Sequence, residues 1–254
     1  MTQLSFGHHS TLPELQGMTI IDLHSHSTLS DGKDSALDCL RKAHKRNINL
    51  CLTDHNEIRG SLLACEKGFS LPSIEVTSKD CYDFLFYFSK PRDLTEFYTS
   101  YIRGHRLVEK TFLNYYRLRW STEDLLQKAK NSNAVIVLAH PDAIPPKNSG
   151  VFIDGNKDLL NHIDAIEAIN STMSEASNKK AIHYARSWKK PMTGASDAHL
   201  ARFIGAGVTA FESTTVDDIL EDIRKGRNIV VGNNLKFLYK LQTTITVLKN
   251  NLRW

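Results

Sequence analysis

The chain has 254 residues, of which 41% are hydrophobic and 24% are charged. This composition excludes a disordered or fibrous protein and is typical of a soluble globular one, with one large domain or two small ones. The formal net charge of +4 is a mild bias toward anionic partners and does not by itself indicate nucleic-acid binding.

Residues 1–17 lack a basic start followed by an apolar core, so we expect no secretory signal peptide. No apolar stretch of the chain is long enough to cross a bilayer. The chain has four cysteines and no CxxC pair, which argues against a structural zinc knuckle. This cysteine pattern favours a reducing, cytoplasmic location. We expect residues 1–18 to form a loose leader, with His8 and His9 as surface residues rather than metal ligands.

Strands and helices alternate from residue 19 onward. In the first half, hydrophobic periodicity predicts a strand at 20–23, a helix at 35–47, a strand at 48–53, a helix at 62–67 and strands at 71–76 and 82–88. A mainly helical insert follows at 91–131. The second half continues with strands at 134–139 and 163–169, a helix at 174–189, a strand at 192–195, a helix at 216–225 and a last strand at 228–231.

This alternation predicts an α/β fold with a parallel sheet. About seven βα units in residues 19–231 favour a barrel over two domains. Residues 232–254 form a carboxy-terminal extension, mixed apolar and basic in composition, to which we assign no place.

Metal-ligand residues follow four of the predicted strands. They are His24 and His26, then Asp54 and His55, then His140, and then Asp197 and His199. Chemistry in barrel and open α/β folds sits at the carboxyl ends of the strands, so these residues are expected to meet. His24 and His26 are two positions apart and point to one side of an extended chain. Taken alone, His24 and His26 are explained about equally well as metal ligands and as exposed or core histidines. Taken together with the other clusters, they favour a polynuclear metal site.

Three further carboxylates have two explanations each. Asp31 precedes Gly32 and could serve turn chemistry alone. Glu75 and Asp83 lie in apolar runs, where a metal or a cation would remove the cost of burying a charge, although an exposed strand position is the alternative. His140, before Pro141, could equally be a turn histidine.

The mixture of imidazole and carboxylate ligands suits zinc, manganese or iron. Two such ions bridged by a carboxylate lie about 3.5–4 Å apart and lower the pKa of bound water near neutrality. Phosphoester hydrolysis by metal-activated water follows from this arrangement. Amide hydrolysis is chemically open as well.

At this point the motifs resemble those of the PHP (polymerase and histidinol phosphatase) superfamily. HSHSTLSDG at 24–32, TDHN at 53–56, LAHP at 138–141 and SDAH at 196–199 match its four motifs in order, over about residues 19–231. Amidohydrolases would be expected to supply a metal-bridging lysine in mid-barrel instead. The resemblance implies a distorted (βα)7 TIM-like barrel and a trinuclear centre.

The resemblance also implies a set of ligands. His24, His26, Glu75 and Asp197 would hold one metal. Glu75, His140 and position 83 would hold a second, and Asp31, His55 and His199 a third. Ribonuclease-like PHP enzymes carry histidine at position 83, where this chain has Asp83; we keep Asp83 as a ligand, with two or three metals bound.

Several residues are expected to support ligands or substrate rather than bind metal. Asp54 would orient a ligand, as Asn56, Glu167 and Asn170 could. Arg202 could hold a substrate phosphate by bidentate contact, or be a solvated surface arginine.

The insert mixes basic and aromatic side chains, which fits a nucleotide or single-stranded nucleic acid. The alternative is an amphipathic hairpin that packs its rings on the barrel. Arg103 and Arg106 are the substrate-binding candidates. The basic and aromatic residues of this part of the insert are Arg92, Tyr98, Tyr101, Arg103, His105, Arg106, Lys110, Tyr115, Tyr116, Arg117, Arg119 and Trp120.

We therefore predict a metal-dependent phosphoester hydrolase acting on a nucleotide or nucleic-acid end, as a phosphodiesterase, nuclease or phosphatase. The catalytic candidates are His24, His26, Asp31, His55, Glu75, His140, Asp197 and His199. One alternative is a small-metabolite phosphatase of the histidinol-phosphatase type. Another, from a different class, is a non-catalytic metal-binding PHP module.

Overall fold

A computed structural model describes residues 2–5, 7, 9–107, 117–232 and 242 of the chain. Its strands are β1 (Gln3–Ser5), β2 (Thr19–Asp22), β3 (Asn49–Leu50), β4 (Ser73–Thr77), β5 (Asp83–Tyr87), β6 (Val135–Leu138), β7 (Ala165–Asn170), β8 (Met192–Ala195), β9 (Gly207–Phe211) and β10 (Ile229–Gly232). Its α-helices are α1 (Ala36–His44), α2 (Arg59–Lys67), α3 (Pro91–Phe97), α4 (Thr122–Asn131), α5 (Ser149–Gly155), α6 (Glu175–Ser187) and α7 (Val216–Lys225).

The strands form two five-stranded sheets within the described residues. One has the order β1-β10-β9-β2-β3 and the other the order β4-β5-β6-β7-β8. Isolated bridges join residues at the edges of the two sheets, Ser25 to Ala198 and His55 to Glu75. Both bridges fall beside predicted metal ligands, so the junctions between the sheets are where the candidate site is assembled.

The observed sheets are mixed, whereas the sequence predicted a parallel sheet. β2 pairs with β3, β6 with β7 and β7 with β8 in parallel. β5 is antiparallel to both of its neighbours, and β9 to both of its own. The cause at β5 is the connection of residues 78–82 from β4, which holds no helix and is too short for a parallel crossover. The fold is α/β, as predicted, but the (βα)7 barrel is not confirmed.

Most of the predicted elements occur with shifted ends. Two strands, β1 and β9, were not predicted; β1 lies inside the expected leader and pairs in parallel with β10. The loop predicted after β6 contains α5. The insert begins with α3 and a π-helical turn, Tyr98–Ile102, and ends with α4. Between them, Arg106 bridges to Leu118 and Arg117 to Thr77, so these described positions are extended rather than helical. Lys110, Tyr115, Tyr116 and the extension from 233 onward, apart from residue 242, lie outside the described residues, as does His8.

Hydroxyl side chains fix where the principal helices begin. Ser35, Ser121, Ser174 and Thr215 each accept a hydrogen bond from a backbone N–H in the first turn of α1, α4, α6 and α7 respectively. α7 ends at Gly226, whose φ of 65° is the left-handed conformation that favours glycine.

The aromatic core supports the second sheet. Phe84 and Phe86 on β5 are fully buried and pack with Phe97 of α3, and Phe86 meets Phe97 edge-on at 5.4 Å between ring centroids. Leu125 and Leu126 of α4 belong to the same cluster. The insert is therefore anchored to the sheet that carries Glu75. None of the helices in the described part of the chain is long and apolar enough to cross a membrane.

Candidate metal centre

His24 and His26 follow β2 and are both buried. The backbone N–H of Asp197 donates to the carbonyl of His24, and the N–H of His26 donates to Ala198, each at 2.9 Å. These hydrogen bonds hold the HxH segment beside the SDAH segment. The Nε2 atoms of the two imidazoles lie 3.1 Å apart, so both rings point at one place.

Glu75, in the middle of β4, is the central carboxylate. Its Oε2 lies 3.3 Å from Nε2 of His24, 3.3 Å from Nε2 of His26 and 3.2 Å from Nδ1 of His55. Its Oε1 lies 3.3 Å from Nε2 of His140. Burial would raise the pKa of Glu75, but the neighbouring histidines hold it well below its usual value. Glu75 thus lies between three imidazoles on one carboxylate oxygen and that of His140 on the other; its bridging of two metals stays a prediction.

Asp31, His55 and His199 form the second part of the cluster. Oδ2 of Asp31 lies 3.7 Å from Nε2 of His55 and 3.4 Å from Nε2 of His199. Burial lowers the pKa of His55 to about 4. Burial also disfavours the charge on His199, but the Asp31 and Asp197 carboxylates outweigh it and raise the pKa of His199 to about 9.

The turn that presents Asp31 needs glycine at its end. A Cβ on Gly32 would lie 2.4 Å from the backbone oxygen of His26, closer than such atoms approach. Asp54 fixes the rest of the turn: its carboxylate accepts from the N–H and hydroxyl of Ser27, each at 2.8 Å, and from the hydroxyl of Ser30 at 2.7 Å. Asp54 therefore orients the Asp31 loop.

His140 and Asp197 lie at strand ends with positive φ angles, 27° and 50°. Such angles are rare for residues other than glycine and cluster at functional sites. Asp197 Oδ1 lies 3.3 Å from Nε2 of His26 and 3.6 Å from Nε2 of His24. The turns thus bring these two side chains back toward the HxH pair.

Glu167, on β7, connects two of these segments, those of His24 and His140. Its Oε1 is 2.9 Å from Nδ1 of His24, and its Oε2 accepts from the backbone N–H of His140 at 2.9 Å and from Asn170 Nδ2 at 3.0 Å. An ionised carboxylate at Nδ1 selects the tautomer that leaves Nε2 free to bind a metal. Asn170 and Thr172 also donate to Asp197 Oδ2, at 3.2 and 2.9 Å.

Asp83 is held by groups other than the histidines. Its Oδ2 lies 2.7 Å from Nζ of Lys147 and 3.9 Å from Nε2 of His140, and its Oδ1 accepts from the hydroxyl of Thr77 at 2.5 Å. Burial would lower the pKa of Lys147, but the carboxylates of Asp83 and Glu75 raise it above its usual value.

The donor set fits divalent metal ions. Four overlapping groups of buried ligand atoms each lie within 4.8 Å of one another: His24, His26 and Asp197; His24, Glu75 and His140; His26, Asp31 and His199; and His26, His55 and Glu75. Oε2 of Glu75 is buried without a hydrogen-bond partner in the described structure. Uncompensated buried polar atoms are rare, and a bound cation would satisfy this one.

The predicted substrate arginines lie in different places. Arg103 and Arg106 line a cleft of about 390 Å³ together with Arg59, Tyr98 and Ser30. The hydroxyl of Ser30 lies 3.3 Å from Oδ1 of Asp31, so the cleft adjoins the cluster.

Two further parts of the predicted substrate surface, Arg202 and aromatic side chains of the insert, contact other residues of the protein. Arg202 contacts the ring of Phe203 at 4.8 Å and the side chain of Gln242, neither of which belongs to the cluster. Tyr101 and Trp120 of the insert are packed, since Trp120 Nε1 donates to the Tyr101 carbonyl at 2.7 Å and Lys128 covers the Trp120 ring. The role of Arg202 in phosphate binding stays a prediction.

Sequence reasoning missed three residues around the cluster. Asp22 is fully buried and accepts from the N–H groups of Ser196 and Gly205 at 2.9 and 2.7 Å; a carboxylate in an apolar strand was the available signal. Thr172 follows Asn170 with no pattern to mark it. Lys147 lies in a proline-containing loop whose path the sequence does not determine.

Comparisons with known proteins agree with this geometry. The model of the PHP-associated family matches residues 175–228, which span α6, β8, the SDAH motif, β9 and α7. No curated protein matches the chain.

Solved structures share the fold at low sequence identity. A two-domain protein from Bacteroides vulgatus, described as containing a predicted PHP-like metal-dependent phosphoesterase, is 18% identical with a TM-score of 0.58 over 92% of this chain and 71% of that one. The lesion-specific endonuclease EndoQ from Pyrococcus furiosus is 17% identical with a TM-score of 0.63 over 93% and 71%. An amidohydrolase from Chromobacterium violaceum is 17% identical with a TM-score of 0.59 over 80% and 96%. The resemblance to PHP proteins is confirmed, and at these identities the solved structures establish the fold alone.

Proposed function

From the PHP-type fold of this chain, we propose that the protein is a metal-dependent hydrolase of phosphoester bonds. The observation that carries the proposal is the convergence of buried imidazoles and carboxylates from separate strand ends on Glu75. Divalent ions at such a site supply Lewis acidity toward a phosphoryl oxygen and a lowered pKa for coordinated water.

We infer two ligand sets from the family pattern. His24, His26, Glu75 and Asp197 would hold one ion. Asp31, His55 and His199 would hold another, and Oδ2 of Asp31 lies 3.7 and 3.4 Å from the Nε2 atoms of these two histidines. His140 with Glu75 and Asp83 corresponds to the third set of the family pattern. We also infer that the strands from β2 to β8, joined through the Ser25–Ala198 and His55–Glu75 bridges, correspond to the distorted (βα)7 barrel.

The protein's own groups orient these ligands toward one place. Oε1 of Glu167 accepts a hydrogen bond from Nδ1 of His24, and the backbone carbonyl of Asp197 lies 3.0 Å from Nδ1 of His199. Both contacts direct the Nε2 atom of the ring into the cluster. Asp54, Asn170 and Thr172 then fix the carboxylate-bearing segments, so little reorganisation accompanies substrate binding.

The cleft beside Asp31 favours a nucleotide-containing substrate. Arg59, Arg103 and Arg106 offer guanidinium groups for phosphates and Tyr98 offers a ring for a base. Arg106 is oriented by donation to the Asn56 carbonyl at 3.0 Å. A fold neighbour is named as an endonuclease, which agrees with this substrate class. A small-metabolite phosphatase is the second candidate, because a positive net charge and this arginine-lined cleft would suit any phosphate ester.

The test is hydrolysis with added manganese of three substrates in parallel: p-nitrophenyl phosphate, its bis-p-nitrophenyl diester and a 5′-phosphorylated single-stranded oligonucleotide. A p-nitroanilide amide serves as the chemical control, since one fold neighbour is named as an amidohydrolase. Cleavage of the oligonucleotide and diester is expected. Monoester cleavage alone would identify the phosphatase instead. Amide cleavage alone would refute phosphoester hydrolysis, and no cleavage with any metal would favour the non-catalytic module.

A further inference from the structure

Lys147 brings a positive charge of the protein to the edge of the metal centre. It lies in the loop between β6 and α5, and its Nζ is 2.7 Å from Oδ2 of Asp83. The other oxygen of Asp83 accepts from Thr77 at 2.5 Å. Both carboxylate oxygens of Asp83 are therefore engaged by side chains of the chain itself.

Asp83 stands apart from the residues that converge as ligands. None of the four groups of neighbouring ligand atoms, as far as the described residues extend, includes it. Oδ2 of Asp83 is 3.9 Å from Nε2 of His140, whereas Glu75 Oε1 is 3.3 Å from the same nitrogen. The contact with Lys147 is much shorter than the contact with His140, so the carboxylate is directed toward the ammonium.

An ammonium in this position opposes the binding of a third divalent ion. It neutralises the negative charge on Asp83 that would attract the ion, and it repels any cation placed between Asp83 and His140. An aspartate also reaches less far than the histidine of the ribonuclease-like relatives. The other two ligand sets do not depend on Asp83.

We propose, on the basis of the proposed function, that Lys147 replaces the third metal ion, so that the chain binds two divalent ions and a fixed Asp83–Lys147 ion pair. The Lys147 side chain as a whole is 38% exposed. An ammonium has three N–H donors, and Asp83 takes one. Lys147 can therefore meet a substrate phosphate at the position where the third ion would meet it.

The test counts metal ions rather than turnover. The full chain is stripped with a chelator, dialysed against manganese and analysed for manganese per chain by plasma mass spectrometry. The variants are Lys147→Met, Asp83→His with Lys147→Met, and Lys180→Met as the matched control. Lys180, on α6, also pairs with an aspartate, Asp142 at 3.3 Å, and its side chain is 63% exposed. Circular dichroism checks that each variant is folded, and anomalous scattering from manganese-soaked crystals locates the ions.

We expect two ions in the wild type and in Lys180→Met, and a third ion beside His140 in the Asp83→His, Lys147→Met chain. Three ions in the wild type would overturn the inference, as would a folded double variant that still binds two. Should the double variant fail to fold, the wild-type count and the anomalous map decide alone, because an ion between Asp83 and His140 contradicts the inference directly. Fewer than two ions in the wild type would overturn the proposed function as well, and the two failures are thereby distinguished.

Discussion

Glu167→Gln should weaken metal binding although Glu167 is not expected to touch a metal. The glutamate accepts from Nδ1 of His24 on one oxygen, and from the backbone N–H of His140 and the side-chain amide of Asn170 on the other. Glutamine replaces one of these oxygens by a donor. If the amide nitrogen faces His24, the ring must take the tautomer with its proton on Nε2, which blocks the ligand atom. If it faces His140, two N–H donors oppose each other in a buried place.

The magnitude follows from the role of such supporting carboxylates, whose removal lowers metal affinity by about 10- to 100-fold. That range corresponds to about 1.4 to 2.7 kcal/mol of binding free energy. Titration of the chelator-stripped protein with manganese in a calorimeter measures it, with Glu212→Gln as the control because Glu212 is exposed. A Glu167→Gln affinity within twofold of the wild type would refute the argument that Glu167 selects the His24 tautomer.

Three further predictions concern substrate binding by Arg106, the proton carried by His199 and the backbone at Gly32. Arg106→Ala should raise KM for the oligonucleotide by about tenfold and leave KM for p-nitrophenyl phosphate nearly unchanged, because one phosphate contact of about 1.4 kcal/mol is lost. The control is Arg92→Ala, since Arg92 is exposed on α3. Equal effects of Arg106→Ala on both substrates would count against substrate binding in the cleft. In the metal-free protein His199 has a pKa raised to about 9 by Asp31 and Asp197 against the effect of burial, so metal binding must release its proton. Apparent manganese affinity should therefore rise about tenfold per pH unit from pH 6 to 8 for that proton, and calorimetry in two buffers of different ionisation enthalpy should detect the release; a flat profile would contradict it. Gly32→Ala should destabilise the fold by about 1–3 kcal/mol in urea unfolding, because the added Cβ would meet the His26 carbonyl. A Cβ at Gly155 would meet nothing within 4 Å, so Gly155→Ala should be close to neutral. Similar losses of unfolding free energy in the two variants would refute the packing argument.

The sequence predicted that several ligand-type residues meet, because His24, His140 and Asp197 each come after a short apolar strand. His24 after β2, His140 after β6 and Asp197 after β8 do lie in one cluster with Glu75, which is in the middle of β4. The pairing directions could not be derived in the same way. β5 has the apolar alternation of any buried strand, and only the five-residue connection from β4 would have indicated that it runs antiparallel.

The surroundings of the ligands were less accessible to sequence reasoning. Glu167 and Asn170 were suspected because they are polar residues in the apolar strand β7. Lys147 was missed because its approach to Asp83 depends on the path of a loop that no periodic pattern describes. β9 was missed for a related reason: Gly207 and Thr209 weaken its hydrophobic pattern, although all five of its residues are buried.

The central claim is that the cluster around Glu75 makes this chain a metal-dependent phosphoesterase. The most direct measurement is release of p-nitrophenol from the mono- and diester by chelator-stripped protein as manganese is added back, with His24→Ala alongside. We predict that the stripped protein is inactive, that manganese restores turnover in the wild type, and that His24→Ala stays inactive while retaining its circular dichroism spectrum. Turnover that persists in the stripped protein, or that His24→Ala shares with the wild type, would contradict the account.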